Sequence, residues 1–477
     1  MESLKGWIKH HFLIEKMDTI VGWVLMASLA ILVAMLVGQL GVTGPIALLS
    51  IGVSILLVII ILHNIYLGLF VLLIMSILIS WFAKIVNLPF GLSLDILLGL
   101  MALGVIGRQI TERDSSFARS PMTFPILVWV FYNLIQVINP IAASQLAWAY
   151  TVRSMAVLIL LYFIACYALN SYERIIRILK FMVGLAFISA LYGLKQEFFG
   201  FFQFELDWLY AEQGRFQLIF QWARLRIFSF FSDPTNYGIY MSYMAVISFI
   251  LMLGPISIWK KVILAIAGIS MVMAIGFAGS RTPVVLLPFG LGVFALLSMN
   301  KKVLISVAIM SVIGAAFMFK STNSAVLYRI QSAFFLNRSG DTIDVRNKNQ
   351  ELIKPFIQSH PFGGGLGSVG EWGQRFSPGT FLAKFPPDSG FVRVAVELGW
   401  IGYLIYCWLI YTIIKTGIYY YFRVKNNQIK IIYLAITIMM FMLLLASYVQ
   451  EAIVQLPTSI YFYICLAIIA RLKDFDD

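Results

Sequence analysis

Residues 64–83 read NIYLGLFVLLIMSILISWFA, a stretch without one charged side chain. A helix rises about 1.5 Å per residue, so about 20 apolar residues cross the ~30 Å hydrocarbon core of a bilayer. A core helix of a soluble domain keeps a polar face, and this one has none. Working outward with a window of about 19 residues, similar segments fall near 20–38, 43–62, 89–107, 122–140, 151–168, 176–196, 234–253, 262–279, 282–299, 303–319, 390–414, 431–447 and 455–471. The whole chain agrees with its segments: 61% of its 477 residues are hydrophobic, 12% are charged and the mean hydropathy is +0.89. A soluble domain carries about 25% charged residues, so lipid is this chain's solvent. The expected fold is all-α and polytopic, with about 12–14 transmembrane helices and a large helical periplasmic loop before the last three spans.

The formal charge of +13 reads as topology-setting Lys and Arg. With the N-terminus inside, the cytoplasmic turns carry Arg108, Arg113 and Arg119, then Arg174, Arg177 and Lys180, then Lys260 and Lys261, then Lys301 and Lys302. Lys415, Arg423, Lys425 and Lys430 follow, and then Arg471 and Lys473. The short outer turns carry only Lys84, Arg153 and Arg281. Both termini are therefore expected on the cytoplasmic side of a bacterial inner membrane. Nothing resembles a nucleic-acid module. Cys166, Cys407 and Cys465 sit in apolar runs without metal-ligand spacing and read as small core hydrophobes. The first apolar run follows Lys5, Lys9 and Lys16 without a clear small-residue cleavage site, and reads as a retained span.

This layout divides the chain into a transmembrane bundle at 1–196, an outer amphipathic segment at 197–233, central spans at 234–319, a large outer loop at 320–390 and C-terminal spans at 391–477. Loops of that length are usually functional. Ten arginines fall outside: Arg153, Arg215, Arg224, Arg226, Arg281, Arg329, Arg338, Arg346, Arg375 and Arg393. Arg281 sits in the corner Gly279-Ser280-Arg281-Thr282-Pro283. It reads either as an arginine snorkelling to headgroups or as a fixed guanidinium whose planar fork binds phosphate. Residues 215–238 alternate aromatics with arginines ahead of Asp233-Pro234, which reads as an N-cap and a first helical turn. That stretch fits an interfacial aromatic belt, or a segment lying beside a lipid-borne anion.

In the large loop, a helix is expected over 324–337 and a second from Asp341 or Asp344 to Pro355 or slightly beyond. The stretch Gly365-Leu366-Gly367-Ser368-Val369-Gly370 satisfies G-x-G-x-x-G in form, but no strand precedes it and it faces away from the cytoplasm, so a dinucleotide site is rejected. The glycines supply a backbone that passes close to a ligand or another chain segment. His360 reads as a turn residue or a base. Asp388 reads as an N-cap or a general base at the membrane surface. Asp95 and Glu397 lie within spans, where carboxylates pair with a cation or face a polar cavity.

Four features occur in order: Arg226 before Phe-Ser-Phe-Phe-Ser-Asp-Pro-Thr-Asn; Gly279-Ser280-Arg281 at a span end; Arg346 followed by His360-Pro361-Phe362-Gly363; and Asp388-Ser389 with Glu397-Leu398-Gly399-Trp400-Ile401-Gly402. With this topology the chain resembles the O-antigen ligase and O-antigen polymerase superfamily over about 215–402. The resemblance implies a glycosyltransferase that uses undecaprenyl-diphosphate-linked oligosaccharide on the outer face, with no cofactor and no metal. It further implies a glycan acceptor, membrane lipid and other polysaccharide-assembly proteins as partners. Carried over, Arg226 and Arg281 become diphosphate ligands, with Arg215 and Arg346 as further candidates. The family's proposed histidine falls on Asp388 and its usual asparagine on Ser389. Asp388 is thus the first candidate for the base, ahead of His360 and Glu397. The aspartate resembles the polymerase-like branch more than the lipid A-core ligases. A ligase, an oligosaccharyltransferase and a lipid-linked glycan transporter stay as alternatives.

Overall fold

A computed structural model describes residues 58–85, 91–114, 116–221, 224–299, 340–386 and 389–476, with isolated positions at 23–35 and 301–331. Most of the expected spans near 20–38, 43–62 and 303–319, and of the expected helix at 324–337, lies outside the described residues. Residues 1–64 form one compact unit and residues 65–477 a second.

Helices account for most of the described residues of the second unit. They are α1 (Ile65–Ile85), α2 (Gly91–Glu112), α3 (Thr123–Ile135), α4 (Gln145–Ala168), α5 (Tyr172–Phe199), two short helices α6 (Gln203–Tyr210) and α7 (Gln213–Ile219), α8 (Pro234–Met252), α9 (Ile258–Ala278) and α10 (Arg281–Ser298). Then come α11 (Gly340–Ser359), the short α12 (Gly370–Phe376), α13 (Gly390–Arg423), α14 (Asn427–Val449) and α15 (Thr458–Arg471). Among the described residues nine helices are long and apolar enough to cross a membrane. Adding the shorter Thr123–Ile138 and Thr458–Arg471 accounts for every span expected from 64 onward except the one near 303–319.

The bundle has a centre. α8 and α14 are buried along most of their length, and a ladder of tyrosines locks α8 to its neighbours. Tyr240 donates its hydroxyl to Tyr461 of α15 at 2.8 Å, and Tyr237 donates to the carbonyl of Ser189 of α5 at 3.2 Å. In lipid the helices gain little from hydrophobic transfer, so close approach and polar contacts between them matter more. A Cβ at Gly193 of α5 would stand 2.1 Å from the Tyr237 hydroxyl. Cys166 and Cys465 are buried and Cys407 half-buried, all three as free thiols.

Two of the longer segments between helices collect at one end of the bundle, the loop face. Lys84, at the end of α1, donates to the carbonyl of Phe231 there, and Asn139, beyond α3, donates to the carbonyls of Phe362 and Gly363. α13 enters the bundle from this face and breaks its helical geometry at Gly399 (φ 68°, ψ −176°). Carbonyls ahead of such a break lose their i+4 donors, and buried ones must find others. The glycine-rich loop provides them. Gly364 N–H donates to Val396 O at 2.8 Å, Gly365 N–H to Glu397 O at 3.0 Å, and the Tyr132 hydroxyl to Leu398 O at 2.8 Å. The approach is so close that a Cβ at Gly363 would stand 2.4 Å from Gly399 N and 2.5 Å from Glu397 O. The formal G-x-G-x-x-G stretch therefore belongs to a backbone clasp on a kinked helix.

Gly363 also has φ +73°, a region that L side chains rarely adopt. Gly363→Ala should lower stability by about 2 kcal/mol or more. Gly379→Ala, at a position with nothing within 4 Å, should stay within about 0.5 kcal/mol. Thermal unfolding of the two variants in detergent checks the contrast.

Candidate active site

The segment between α5 and α8 folds down onto the bundle. α6 and α7 lead into a two-stranded hairpin, Phe220–Gln221 paired antiparallel with Arg224–Leu225. Leu209, Ile219 and Phe228 form its core, with Phe201, Trp208, Phe216 and Leu225 packed around them. Phe198, Phe199, Phe202, Tyr210 and Phe220 stay exposed beside it, as expected of an aromatic belt. Three buried polar groups pin the segment. Lys84 lies 4.1 Å above the Phe228 ring and donates to Phe231 O at 2.7 Å. Gln196 accepts from the N–H groups of Phe228 and Ser229 at 3.1 and 2.7 Å. Glu205, fully buried, accepts from Tyr192, Gln196 and the Phe202 N–H. These bonds hold Ser229 at φ +52°, a conformation uncommon for a non-glycine residue.

That scaffold delivers Arg226 to the corner between α9 and α10. Arg226 is 7% exposed. Its Nε donates to Ala278 O at 2.8 Å, Nη1 to Leu218 O at 3.3 Å, and Nη2 to the Ser280 hydroxyl. Burial pulls its pKa down to about 10, with Asp233 pulling the other way, so it remains a cation at neutral pH. Ser280 lies 2.7 Å from the Thr235 hydroxyl in the first turn of α8. As the sequence suggests, Asp233 caps that turn, accepting from the N–H groups of Thr235 and Asn236 at 2.8 and 2.9 Å with Pro234 at the first helical position. Arg281 follows Ser280, half-buried, and makes no hydrogen bond or ion pair with any described residue. Two basic stretches far apart in sequence thus share one corner of the loop face. Arg226 is largely satisfied by the protein, while no described residue takes up the donors of Arg281.

The other residues singled out in the sequence are distributed differently. Arg215 is occupied within its own segment: it bonds Trp208 O, pairs with Glu212 at 2.7 Å and lies 4.2 Å above the Trp208 ring. Arg153 pairs with Asp95 at 3.5 Å, so that intramembrane carboxylate has its cation. Arg346 is in α11, with its side chain outside the described residues, and Asp388 lies outside them altogether. The N-cap of α13 falls on Ser389, one position past Asp388. His360 closes the end of α11: Nδ1 lies 2.9 Å from Phe356 O and 2.8 Å from the Ser359 hydroxyl, and the ring stacks on Phe356 at 4.1 Å. That is the turn role. Glu397, expected among the acid–base candidates, is 3% exposed and accepts from Arg393 Nε at 3.1 Å. It is placed as a counter-ion.

One residue passed over in the sequence belongs to the same end. Glu451, in the turn between α14 and α15, accepts from Arg393 Nη1 at 2.7 Å. Arg393 therefore holds two carboxylates. Lys and Arg in short turns report topology, whereas an acidic residue there carries no such signal. The trio lines a cavity of about 290 Å³, with Trp129, Trp372 and Tyr406 also in its wall. Gln450, next to Glu451, reaches to 3.5 Å from the Asn236 side chain. The cavity and the Arg226–Ser280 corner are therefore joined through the first turn of α8.

Residues 266–407 match the family model described as O-antigen ligase. The matched segment is similar to that family over less than half of the chain. It includes Arg281, the glycine clasp, Arg393 and Glu397, and leaves Arg226 and Glu451 outside. A comparison with curated proteins finds no match.

Arg226→Lys should cost about 2 kcal/mol of stability, because one ammonium cannot replace a planar fork bonded to Ala278 O, Leu218 O and Ser280 together. The melting temperature in detergent should fall although the charge is kept.

Proposed function

We propose, with the O-antigen ligase family as the premise, that this chain is a glycosyltransferase acting on undecaprenyl-diphosphate-linked glycan, and that it polymerises repeat units of O-antigen or exopolysaccharide. The loop face is then the outer face of the inner membrane, with both termini cytoplasmic. The observation that carries the reading is the meeting of Arg226 and the Ser280–Arg281 corner, with Arg281 left without a partner among the described residues.

The chemistry is an inverting displacement. The acceptor hydroxyl oxygen bonds to C1 of the donor sugar, the bond from C1 to the diphosphate oxygen breaks, and the electron pair leaves with the lipid diphosphate. Negative charge develops on that leaving group, where donors fixed in advance stabilise it most. Arg281 supplies free donors; Arg226 holds the corner in place and retains two unused N–H groups of its five. Arg346 is a further diphosphate ligand, while Arg215, engaged by Glu212 and Trp208, ranks behind it. The acceptor proton passes to a base, for which Asp388 at the mouth of α13 is the assignment. An aspartate with its ordinary pKa near 3.9 is a weak base, and partial withdrawal from water would raise it.

The test is chain extension by purified protein, with the lipid-linked oligosaccharide that accumulates in cells lacking this chain as substrate. Wild type should extend it. Arg281→Ala should lose about a hundredfold or more in rate while remaining in the membrane fraction with an unchanged melting temperature. Undiminished extension by Arg281→Ala removes the site assignment, and transport without extension by wild type removes the enzyme.

A further inference from the structure

The cavity beside the corner differs from it in charge. One guanidinium, Arg393, faces two carboxylates, Glu397 and Glu451. With both ionised the wall carries an uncompensated negative charge, and with one proton added it is neutral, so it is not cationic while either carboxylate is ionised. A diphosphate is therefore repelled or unassisted here. Nor is the ion pair closed: Arg393 engages one Glu451 oxygen, and the other is buried without a partner among the described residues. A carboxylate offers about four lone-pair sites, and a buried one left short of donors is costly. The remaining polar need is for hydroxyl donors.

The rest of the wall is mostly aliphatic and aromatic, and its aromatic members suit the same occupant. Trp129, Trp372 and Tyr406 line the cavity, and Trp372 is held from behind by Tyr150, 4.9 Å away between ring centroids. Aromatic faces pack against the apolar C–H faces of a sugar ring, while carboxylates accept its hydroxyls. A volume of about 290 Å³ is at the small end of ligand pockets, which run from about 300 to 1,000 Å³. It suits a sugar residue or two rather than a whole glycan chain.

We propose that this cavity is the subsite for the acceptor sugar of the transfer reaction, with Glu451 as the residue that receives the acceptor's hydroxyls and Trp372 as its stacking platform. The assignment rests on the glycosyl-transfer reading and deepens it. Fixed charge sorts the two substrates: the cationic corner takes the diphosphate of the donor, and the carboxylate wall takes the uncharged end of the acceptor. Glu451 is a positioning residue. The Gln450–Asn236 contact joins its turn to the turn of α8 that carries Thr235 beside Ser280, so the two subsites share one rigid element.

The experiment is calorimetric binding of the repeat-unit glycan, freed from its lipid by mild acid, to the purified full-length protein. Wild type should bind saturably. Glu451→Gln, which keeps an oxygen for Arg393, should weaken binding about tenfold, the size of one lost charge-assisted hydrogen bond. Trp372→Ala should weaken it comparably, with both variants melting as wild type does. Arg281→Ala should bind the free glycan normally, since it touches only the diphosphate. Absence of saturable binding to wild type, or wild-type affinity in both Glu451→Gln and Trp372→Ala, overturns the proposal. Should the glycosyl-transfer reading itself be wrong, the glycan would bind as described while wild type failed to extend the lipid-linked form.

Discussion

The loop face is organised by a break in one helix. α13 could run straight from Gly390 to Arg423, yet it loses helical geometry at Gly399, and the carbonyls of Val396, Glu397 and Leu398 need new donors inside a low-dielectric bundle. Each unmet carbonyl would cost several kcal/mol there. The amides of Gly364 and Gly365 and the hydroxyl of Tyr132 meet that need. The same bonds that stabilise the break therefore dock the large loop, and α3 with it, onto the helix that carries Arg393 and Glu397. Side chains at both points of nearest approach are excluded by distance: a Cβ at Gly399 would stand 2.1 Å from Pro361 O. Loop position and helix kink are one structural decision.

A second constraint acts on the cations. Burying a guanidinium is expensive unless its donors are met. Arg226 satisfies this with backbone carbonyls and a serine hydroxyl, with no carboxylate among the described residues hydrogen-bonded to it. That choice leaves its positive potential offset only in part, by the nearby Asp233 carboxylate. Arg215, Arg153 and Arg393 are each closely paired with acidic side chains, and their fields largely end on those partners. Counting arginines on a surface therefore overstates the charge available to a ligand. What remains at the Ser280 corner is the field of Arg226 and Arg281 against the single carboxylate of Asp233.

Much of this architecture was legible in the sequence, for a physical reason. Each span declares itself through its own residues, because lipid demands that every buried backbone bond be made within the helix. The N-cap at Asp233 and the close-approaching glycines were likewise local signals. The partner of those glycines was not: nothing in Gly363–Gly367 points to Gly399, and only the folded chain brings them together. Glu397 was readable as a carboxylate that pairs with a cation or faces a polar cavity, and Arg393, four residues before it at the spacing where helical side chains face each other, is that cation. Glu451 was invisible because the charge bias of turns is a rule about Lys and Arg. The cavity has no local signature, since its wall is assembled from helices as distant as α3 and α15.

These features bear on how the two ends of a glycosyl transfer can be kept apart. A polymerase must admit two similar sugar chains and treat them differently, one as leaving-group carrier and one as nucleophile. Shape alone discriminates poorly between related saccharides, because a small difference in contact is worth only about 1–3 kcal/mol. Charge discriminates better, because the donor carries a diphosphate where the acceptor's reacting end has none. A cavity lined by two carboxylates and a corner that carries two arginines, tied through the first turn of α8, would let that difference act before any sugar-specific contact is made. The kink at Gly399 then fixes the carboxylate wall against the bundle, and the hydrogen bonds of Arg226 to Ala278 O and Ser280 fix the arginine corner, so the two charges are held apart by the fold itself.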